Sequence, residues 1–411
     1  MTLLSRFLPL MLTGVLMSAC ASGQPAPPAT LGHPETPYPP SRPPVVGDIL
    51  HLPTGIFVSE EQMLQVVADS RIAYVGETHD NPASHRLELA VLRAMHARWP
   101  GQVALGMEMF VPSQQAALNG WVTGVLTEKQ FLKDSAWNRN WRLDFAYYRD
   151  LLLFARENRI PIVALNAEKS LVRAVGGSPV AELSPAEQAA IPELDLADPY
   201  QKALTASIYG GHAHGGGNME GFLRVQTLWD ETMAANIAGY LQGREQVRMV
   251  VVAGGNHVRH GFGIPRRVFR RLPISYSLVG ATEIEIPADK QDRLMDVETP
   301  SFPMVPYHFL VHTRYESLEE PPVRLGVMLN ENATGEVLVE GVLPDSVAAE
   351  SGLLKGDRVL SVDAVPVTES LDVVYAVRQK RPGDRMILEI ERNGEKMPVE
   401  ASFPETTESA P

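Results

Sequence analysis

Four short apolar runs, each cut off abruptly by polar residues, limit what this chain can fold into. They are 72–76 (Ile-Ala-Tyr-Val-Gly) followed by Glu77-Thr78-His79-Asp80, 103–107 (Val-Ala-Leu-Gly-Met) followed by Glu108, 162–165 (Ile-Val-Ala-Leu) followed by Asn166, and 249–253 (Met-Val-Val-Val-Ala) followed by Gly254-Gly255-Asn256-His257. A strand with one wet face alternates apolar and polar residues, whereas a parallel strand covered by helices on both faces is apolar throughout. These runs are of the second kind. Asn81-Pro82 supplies a cap and a first-turn proline before a helix expected over 83–99, whose stripe is Leu89, Leu92, Met95 and Trp99. Further helices are expected over 147–157 and 222–241. The alternation predicts an α/β fold, a mainly parallel sheet with helices on both faces.

In open parallel sheets the ligand crevice lies beyond the carboxyl ends of the strands. His79, Glu108, Asn166 and His257 all sit at such ends, so distant parts of the chain converge on one place. Two imidazoles and a carboxylate suit a divalent transition metal or general acid–base chemistry near neutral pH. Any one of these residues alone reads equally well as a helix cap or a loop hydrogen-bonding group. His85 lies one turn before Leu89 on the same side of its helix, which points its imidazole toward the sheet.

The N-terminus has the layout of a bacterial export signal. Arg6 is followed by a mostly apolar stretch from Phe7 to Met17, too short for the roughly 20 residues of a membrane-spanning helix. Ser18 and Ala19 precede Cys20, the one cysteine among 411 residues, so an intrachain disulfide and a cysteine-based zinc site are excluded. The arrangement resembles the lipobox of bacterial lipoproteins. That resemblance implies removal of residues 1–19, lipid attachment at Cys20 and, with Ala21 and Ser22 following, sorting to the outer membrane. Nine of the 33 prolines lie between Ala21 and Pro44, a composition expected of an extended tether. Lys plus Arg number 36 against 49 Asp plus Glu, a net charge of −13 that argues against broad nucleic-acid or anionic-lipid binding.

The segments Gly76-Glu77-Thr78-His79 and Gly254-Gly255-Asn256-His257 are both Gly-x-x-His at a strand end. Together with 106–110 (Gly-Met-Glu-Met-Phe), 162–166, 226–234 (Gln-Thr-Leu-Trp-Asp-Glu-Thr-Met-Ala) and 263–265 (Gly-Ile-Pro), they resemble the ChaN-like haem-binding lipoprotein family. That family belongs to a superfamily with Tiki-type metalloproteases and erythromycin esterases. The resemblance implies a haem-associated surface protein serving iron acquisition, with haem held by tyrosine or histidine and shared across a homodimer. Protease members of the superfamily use the two motif histidines and the glutamate, here His79, Glu108 and His257, as a metal-dependent hydrolytic site.

Further ligand sources are less specific. His212 and His214 lie between glycines in 209–217, read either as a loop that clamps haem or metal or as a lid with no ligand role. Tyr148 is a haem-ligand candidate, as are Tyr147, Tyr200 and Tyr209, although such tyrosines more often pack. Arg259, Arg266, Arg267, Arg270 and Arg271 form a basic cluster, either a partner for haem propionates or a solvated helix face, with Arg259 and Arg266 nearest the crevice.

After about residue 320 the pattern turns β-rich. The run 348–360 (Ala-Ala-Glu-Ser-Gly-Leu-Leu-Lys-Gly-Asp-Arg-Val-Leu) resembles a PDZ domain. Such domains add an extended peptide to a sheet edge and capture its terminal carboxylate on backbone amides. Leu325, Gly326 and Val327 match the loop that supplies those amides, beside a helix with Val373, Val374 and Val377; the alternative is a PDZ fold used only for internal packing. The expected organisation is a signal over 1–19, a tether over 20–47, a haem- or metal-binding α/β domain over 48–290, a linker over 291–320 and a PDZ domain over 321–405. Two functional readings stand side by side. One is a lipid-anchored haem-binding protein with a PDZ module for a protein C-terminus. The other is a metal-dependent hydrolase using His79, Glu108 and His257.

Overall fold

The computed structural model describes residues 33–212, 218–293, 300–318 and 323–405. The expected export segment, Cys20 and His214 lie outside them. The four apolar runs become β3 (Ile72–Glu77), β4 (Val103–Met107), β5 (Ile162–Ala164) and β6 (Arg248–Gly254), joined in one sheet by β1 (Ile49–His51), β2 (Ile56–Val58), β7 (Tyr276–Glu285) and β8 (Phe309–Arg314). The strand order is β2-β1-β8-β7-β3-β6-β4-β5. All pairings from β8 to β5 are parallel, and near one edge β1 runs the opposite way, pairing antiparallel with both β8 and β2.

The uninterrupted apolarity has the expected cause, two cores on opposite faces. Ala73, Val75, Leu105, Val250 and Val252 point into one; Ile72, Tyr74, Ala104, Met249 and Val251 point into the other. Burying each such aliphatic side chain contributes about 1.5–3 kcal/mol, so a polar residue is tolerated only where the strand ends. The helix Pro82–Arg98 covers the first face, capped by the Asn81 side chain on Ala83 N–H, and the 23-residue helix Met219–Leu241 covers the second.

The chain between the first domain and the PDZ domain is not simply a linker. Residues 309–314, inside the expected 291–320 linker, form β8 and pair with β7 and β1, and Tyr307 enters the second core. The described part of the tether also docks. The Glu35 carboxylate accepts the Phe302 N–H at 2.9 Å, and Arg42 pairs with Asp48. Proline content carries no information about these charged contacts.

A second, antiparallel sheet follows, ordered β14-β13-β11-β10-β9, with β12 pairing β11. Its strands are β9 (Val327–Glu331), β10 (Val337–Val342), β11 (Arg358–Val362), β12 (Val365–Pro366), β13 (Arg385–Arg392) and β14 (Glu395–Ser402). The helix Ser370–Arg378 sends Val373 and Val377 into the core of this domain, leaving Val374 half-buried. The opposite side of that helix meets the first domain. Lys129 pairs with Asp372 at 2.5 Å and Lys133 with Glu369 at 3.0 Å, both from the helix Glu128–Asp134. No helix among the described residues is long and apolar enough to cross a membrane.

Candidate functional site

The carboxyl ends of β3, β4 and β6, with the residues just after β5, open into a crevice of about 1000 Å³ whose walls include His79, Glu108, Asn166, His257 and Arg259. The topology explains this convergence. The chain leaves β3 and skips past β6 to make β4, and strand ends flanking such a switch leave a gap that no connection fills.

The two motif histidines are built alike. His79 places Nδ1 2.5 Å from Glu77 Oε1, and its ring meets the Trp141 indole edge-on at 5.0 Å. His257 places Nδ1 2.7 Å from Asp230 Oδ1, with Trp229 edge-on at 6.1 Å. A carboxylate accepts the Nδ1–H in each case, which fixes the tautomer and turns Nε2 outward, the arrangement that orients ligating histidines. Glu108 lies between them. Its Oε2 accepts the Gly254 N–H at 2.7 Å and its Oε1 is 3.5 Å from His257 Nε2.

The glycines of the motifs have a steric role. A methyl group on Gly254 would sit 3.0–3.1 Å from the His79 ring, and one on Gly76 would sit 3.0 Å from the Tyr307 hydroxyl. Each glycine therefore leaves room for a side chain of the crevice.

Charge sets the protonation of both imidazoles. Burial alone would lower His79, but the Glu77 carboxylate, with Glu108 and Glu88 nearby, outweighs it and pushes the ring up to about 9. Burial likewise opposes His257, and Glu108 and Asp230 push it up to about 9. Behind His257 the polar chain continues. Asp230 accepts from Gln201, Gln201 accepts from Arg267, and the fully buried Arg267 pairs with Glu231 at 3.1 Å.

Behind His79 sits a second polar cluster. The Tyr148 hydroxyl donates to Glu77 Oε1 at 2.8 Å, and His85 Nδ1 faces Glu88 Oε2 at 3.1 Å and Glu77 Oε2 at 3.3 Å. Burial raises both carboxyl groups, each up to about 7, with Glu88 adding to the effect on Glu77. His85 and Tyr148 are buried beneath the crevice and absent from its walls, so the structure separates these two haem-ligand candidates from His79 and His257. The backbone is helical through His212, in Pro199–His212, rather than looped from 209 onward.

The basic cluster after β6 also divides. Arg259 faces the crevice, whereas Arg266 pairs with Asp195 and Asp198, and Arg270 and Arg271 join Arg267 on Glu231. Their cations are already matched by local acids distant in sequence. A different set, absent from the sequence reading, supplies positive charge at the rim. Lys169 and Arg173 line the crevice, and Lys169 is lowered by burial and by Arg142, Arg139 and Arg173 around it. Glu77 and Asp230 also went unassigned. For Glu77 a signal was present, since a carboxylate at the end of a fully buried strand needs a partner.

In the second domain β9 is the edge strand, preceded by buried Leu325 and by Gly326 at φ +81°. The carbonyls of Leu325 and Gly326 are held inward by the N–H groups of Ala348 and Leu343. The helix Ser370–Arg378 is tied to β9 by the Ser370 N–H on Glu331. A backbone edge beside a helix is the geometry that strand addition uses.

Residues 63–268 match the family described as haem-binding uptake, Tiki superfamily, ChaN, and residues 323–402 match the PDZ domain. The regulator of sigma-E protease RseP of Escherichia coli is 38% identical over 85 residues, covering 21% of this chain and 19% of that protein. The chloroplastic protein RETICULATA-RELATED 5 of Arabidopsis thaliana is 22% identical over 254 residues, covering 56% of this chain and 34% of that protein. The chain thus spans between 19% and 34% of the length of these relatives. A solved structure described as cofacial heme binding to ChaN of Campylobacter jejuni shares 14% identity at a TM-score of 0.49, covering 64% of this chain and 95% of that one.

Proposed function

The chain belongs to the haem-binding uptake family of the Tiki superfamily, ChaN, and carries a PDZ domain, and from this premise we propose that its crevice binds haem for iron uptake or handling at the bacterial envelope. The observation that carries the reading is the pair of histidines, His79 and His257, each held by a carboxylate with Nε2 turned into a cavity of about 1000 Å³. That volume is at the upper end of ligand sites, roughly 300–1000 Å³. The walls fit haem chemically. Trp141, Trp229, Val172 and Leu310 provide apolar surface, and Lys169, Arg173 and Arg259 provide cations for two propionates.

Haem, when bound, would supply an iron centre open to ligands, and His79 and His257 would be the residues that hold it. The protein's part is to orient and to exclude water. Glu77 and Asp230 keep the Nδ1–H of each histidine occupied, the indoles stop the rings from turning, and the rim cations fix the acidic edge of the ligand. The reading includes sharing of the ligand between two copies of the chain, lipid attachment at Cys20 to the outer membrane, and capture of a protein C-terminus at Leu325, Gly326 and Val327. Loss of the protein from the membrane fraction in Cys20→Ala tests the anchor; unchanged partitioning would sink it.

One observation favours a second reading. Glu108 lies between two carboxylate-oriented imidazoles, the set a metal-dependent hydrolase would use, with His79, Glu108 and His257 holding a divalent transition metal. Haemin titration separates the two. A saturable Soret band shifted from free haemin supports haem binding. No shift, together with metal retained through dialysis and peptide cleavage abolished by Glu108→Ala, supports the hydrolase.

A further inference from the structure

The side chains of Glu77, His85 and Glu88 each offer a ligand atom, and these atoms lie within 4.8 Å of one another. All three are buried, Glu88 completely. Their hydrogen bonding does not close. His85 Nε2 lies 3.0 Å from the backbone carbonyl of His79, and a carbonyl only accepts, so Nε2 carries the ring hydrogen. In the neutral imidazole that leaves Nδ1 as a lone pair facing two carboxylate oxygens, Glu88 Oε2 at 3.1 Å and Glu77 Oε2 at 3.3 Å. With both carboxyls ionised, three acceptors therefore point at one another. In that ionised state Glu77 Oε2 and Glu88 Oε1 are moreover buried without any hydrogen-bond partner, since the two groups can bond to each other only through a shared proton. An unpartnered buried carboxylate oxygen is costly, and a cation at the centre of the cluster would take one ligand atom from each of the three side chains.

We propose that Glu77, His85 and Glu88 form a buried site for one divalent first-row transition-metal ion, distinct from the crevice ligands His79, Glu108 and His257. Two carboxylates and one imidazole suit such an ion, and the outer shell is already in place. His85 Nε2–H is held by a backbone carbonyl, as ligating histidines usually are, and the Tyr148 hydroxyl and His79 Nδ1–H both bind Glu77 Oε1, leaving Oε2 for the metal. Glu77 then links the two levels, with one oxygen on the ion and the other on His79, so the buried ion and the crevice imidazole share a carboxylate. The site does not depend on haem binding.

Co²⁺ is the probe. The full chain, stripped with chelator, is expected to bind one Co²⁺ per molecule, with X-ray absorption showing a single imidazole among oxygen ligands and a melting temperature that rises with Co²⁺ concentration. Glu88→Gln should weaken Co²⁺ by about 100-fold or more, while Glu108→Gln and His257→Ala leave it within a few-fold of wild type. Absence of bound Co²⁺, two imidazoles in the absorption data, or equal binding by Glu88→Gln overturns the proposal, and in that case a proton shared by Glu77 and Glu88 fills the cluster. If Glu88→Gln does not fold, the imidazole count and thermal shift of the wild type decide alone. Haemin titration of the same preparations is a separate readout, so failure of the haem reading and failure of this site are told apart.

Discussion

Asp230 holds Nδ1 of His257 at 2.7 Å while the opposite nitrogen of that ring faces Glu108 at 3.5 Å, and Glu77 holds His79 in the same manner from the other side of the crevice. The carboxylates therefore act through the histidines. Asp230→Asn keeps the shape and removes the charge, and it should weaken haemin or metal binding about 10–100-fold, the usual cost of losing an orienting partner. Equilibrium titration of the variant, with circular dichroism to show an intact fold, checks this; unchanged affinity would remove Asp230 from the site.

The buried ion pair behind His257 should dominate stability. Glu231 is fully buried and receives Arg267, Arg270 and Arg271. Glu231→Ala leaves the Arg267 guanidinium buried without its carboxylate, a loss expected to cost about 3–5 kcal/mol. The exposed pair Arg314–Glu285 is the contrast, since Arg314→Ala should cost no more than ~1 kcal/mol. Urea unfolding of the three proteins, followed by near-UV signals of the first domain, measures the difference.

Glycine should be irreplaceable for steric reasons at Gly280, within β7, and at Gly254, the end of β6. A methyl group on Gly280 would lie 2.4 Å from the Tyr307 ring, so Gly280→Ala should destabilise by about 1–3 kcal/mol. The same change at Gly254 presses on the His79 ring instead, and its effect should fall more on ligand affinity than on melting temperature. Equal affinity in Gly254→Ala would show that His79 is not positioned by this contact.

His260 should make the domain acid-labile. Burial, with Arg259 beside it, pushes this imidazole down to about 4 from its ordinary 6.5. Between those values the unfolded chain binds a proton that the folded chain refuses. The contribution to stability is therefore present above pH 6.5 and is lost as pH falls toward 4. His260→Asn should flatten that part of the stability–pH curve relative to wild type. Asparagine is the suitable replacement because position 260 has φ +58°, which it tolerates. Parallel curves for the two proteins would contradict the assignment.

The sheet was legible because its signal is local. Continuous apolarity in 72–76 and 249–253 follows from cores on both faces, and the polar residue after each run marks where those cores end. His79, Glu108 and His257 were legible for the same reason, as strand-end residues of a parallel sheet. Asp230 was not, because a carboxylate inside a 23-residue helix reads as a solvated face until the fold brings His257 against it. Arg266 misled in the opposite sense, since Asp195 and Asp198, which neutralise it, lie about 70 positions earlier in the chain. β8 was missed because its sheet partners, β1 and β7, are set by topology rather than by its own flanks.

In the proposed function the two carboxylate-held histidines form a haem site. Haemin titration of wild type, His79→Ala and His257→Ala, followed in the Soret region, tests it most directly. A saturable, shifted band is expected in the wild type, with a changed band or an affinity at least ~10-fold weaker in each variant. Wild-type spectra and affinity in both variants would contradict it.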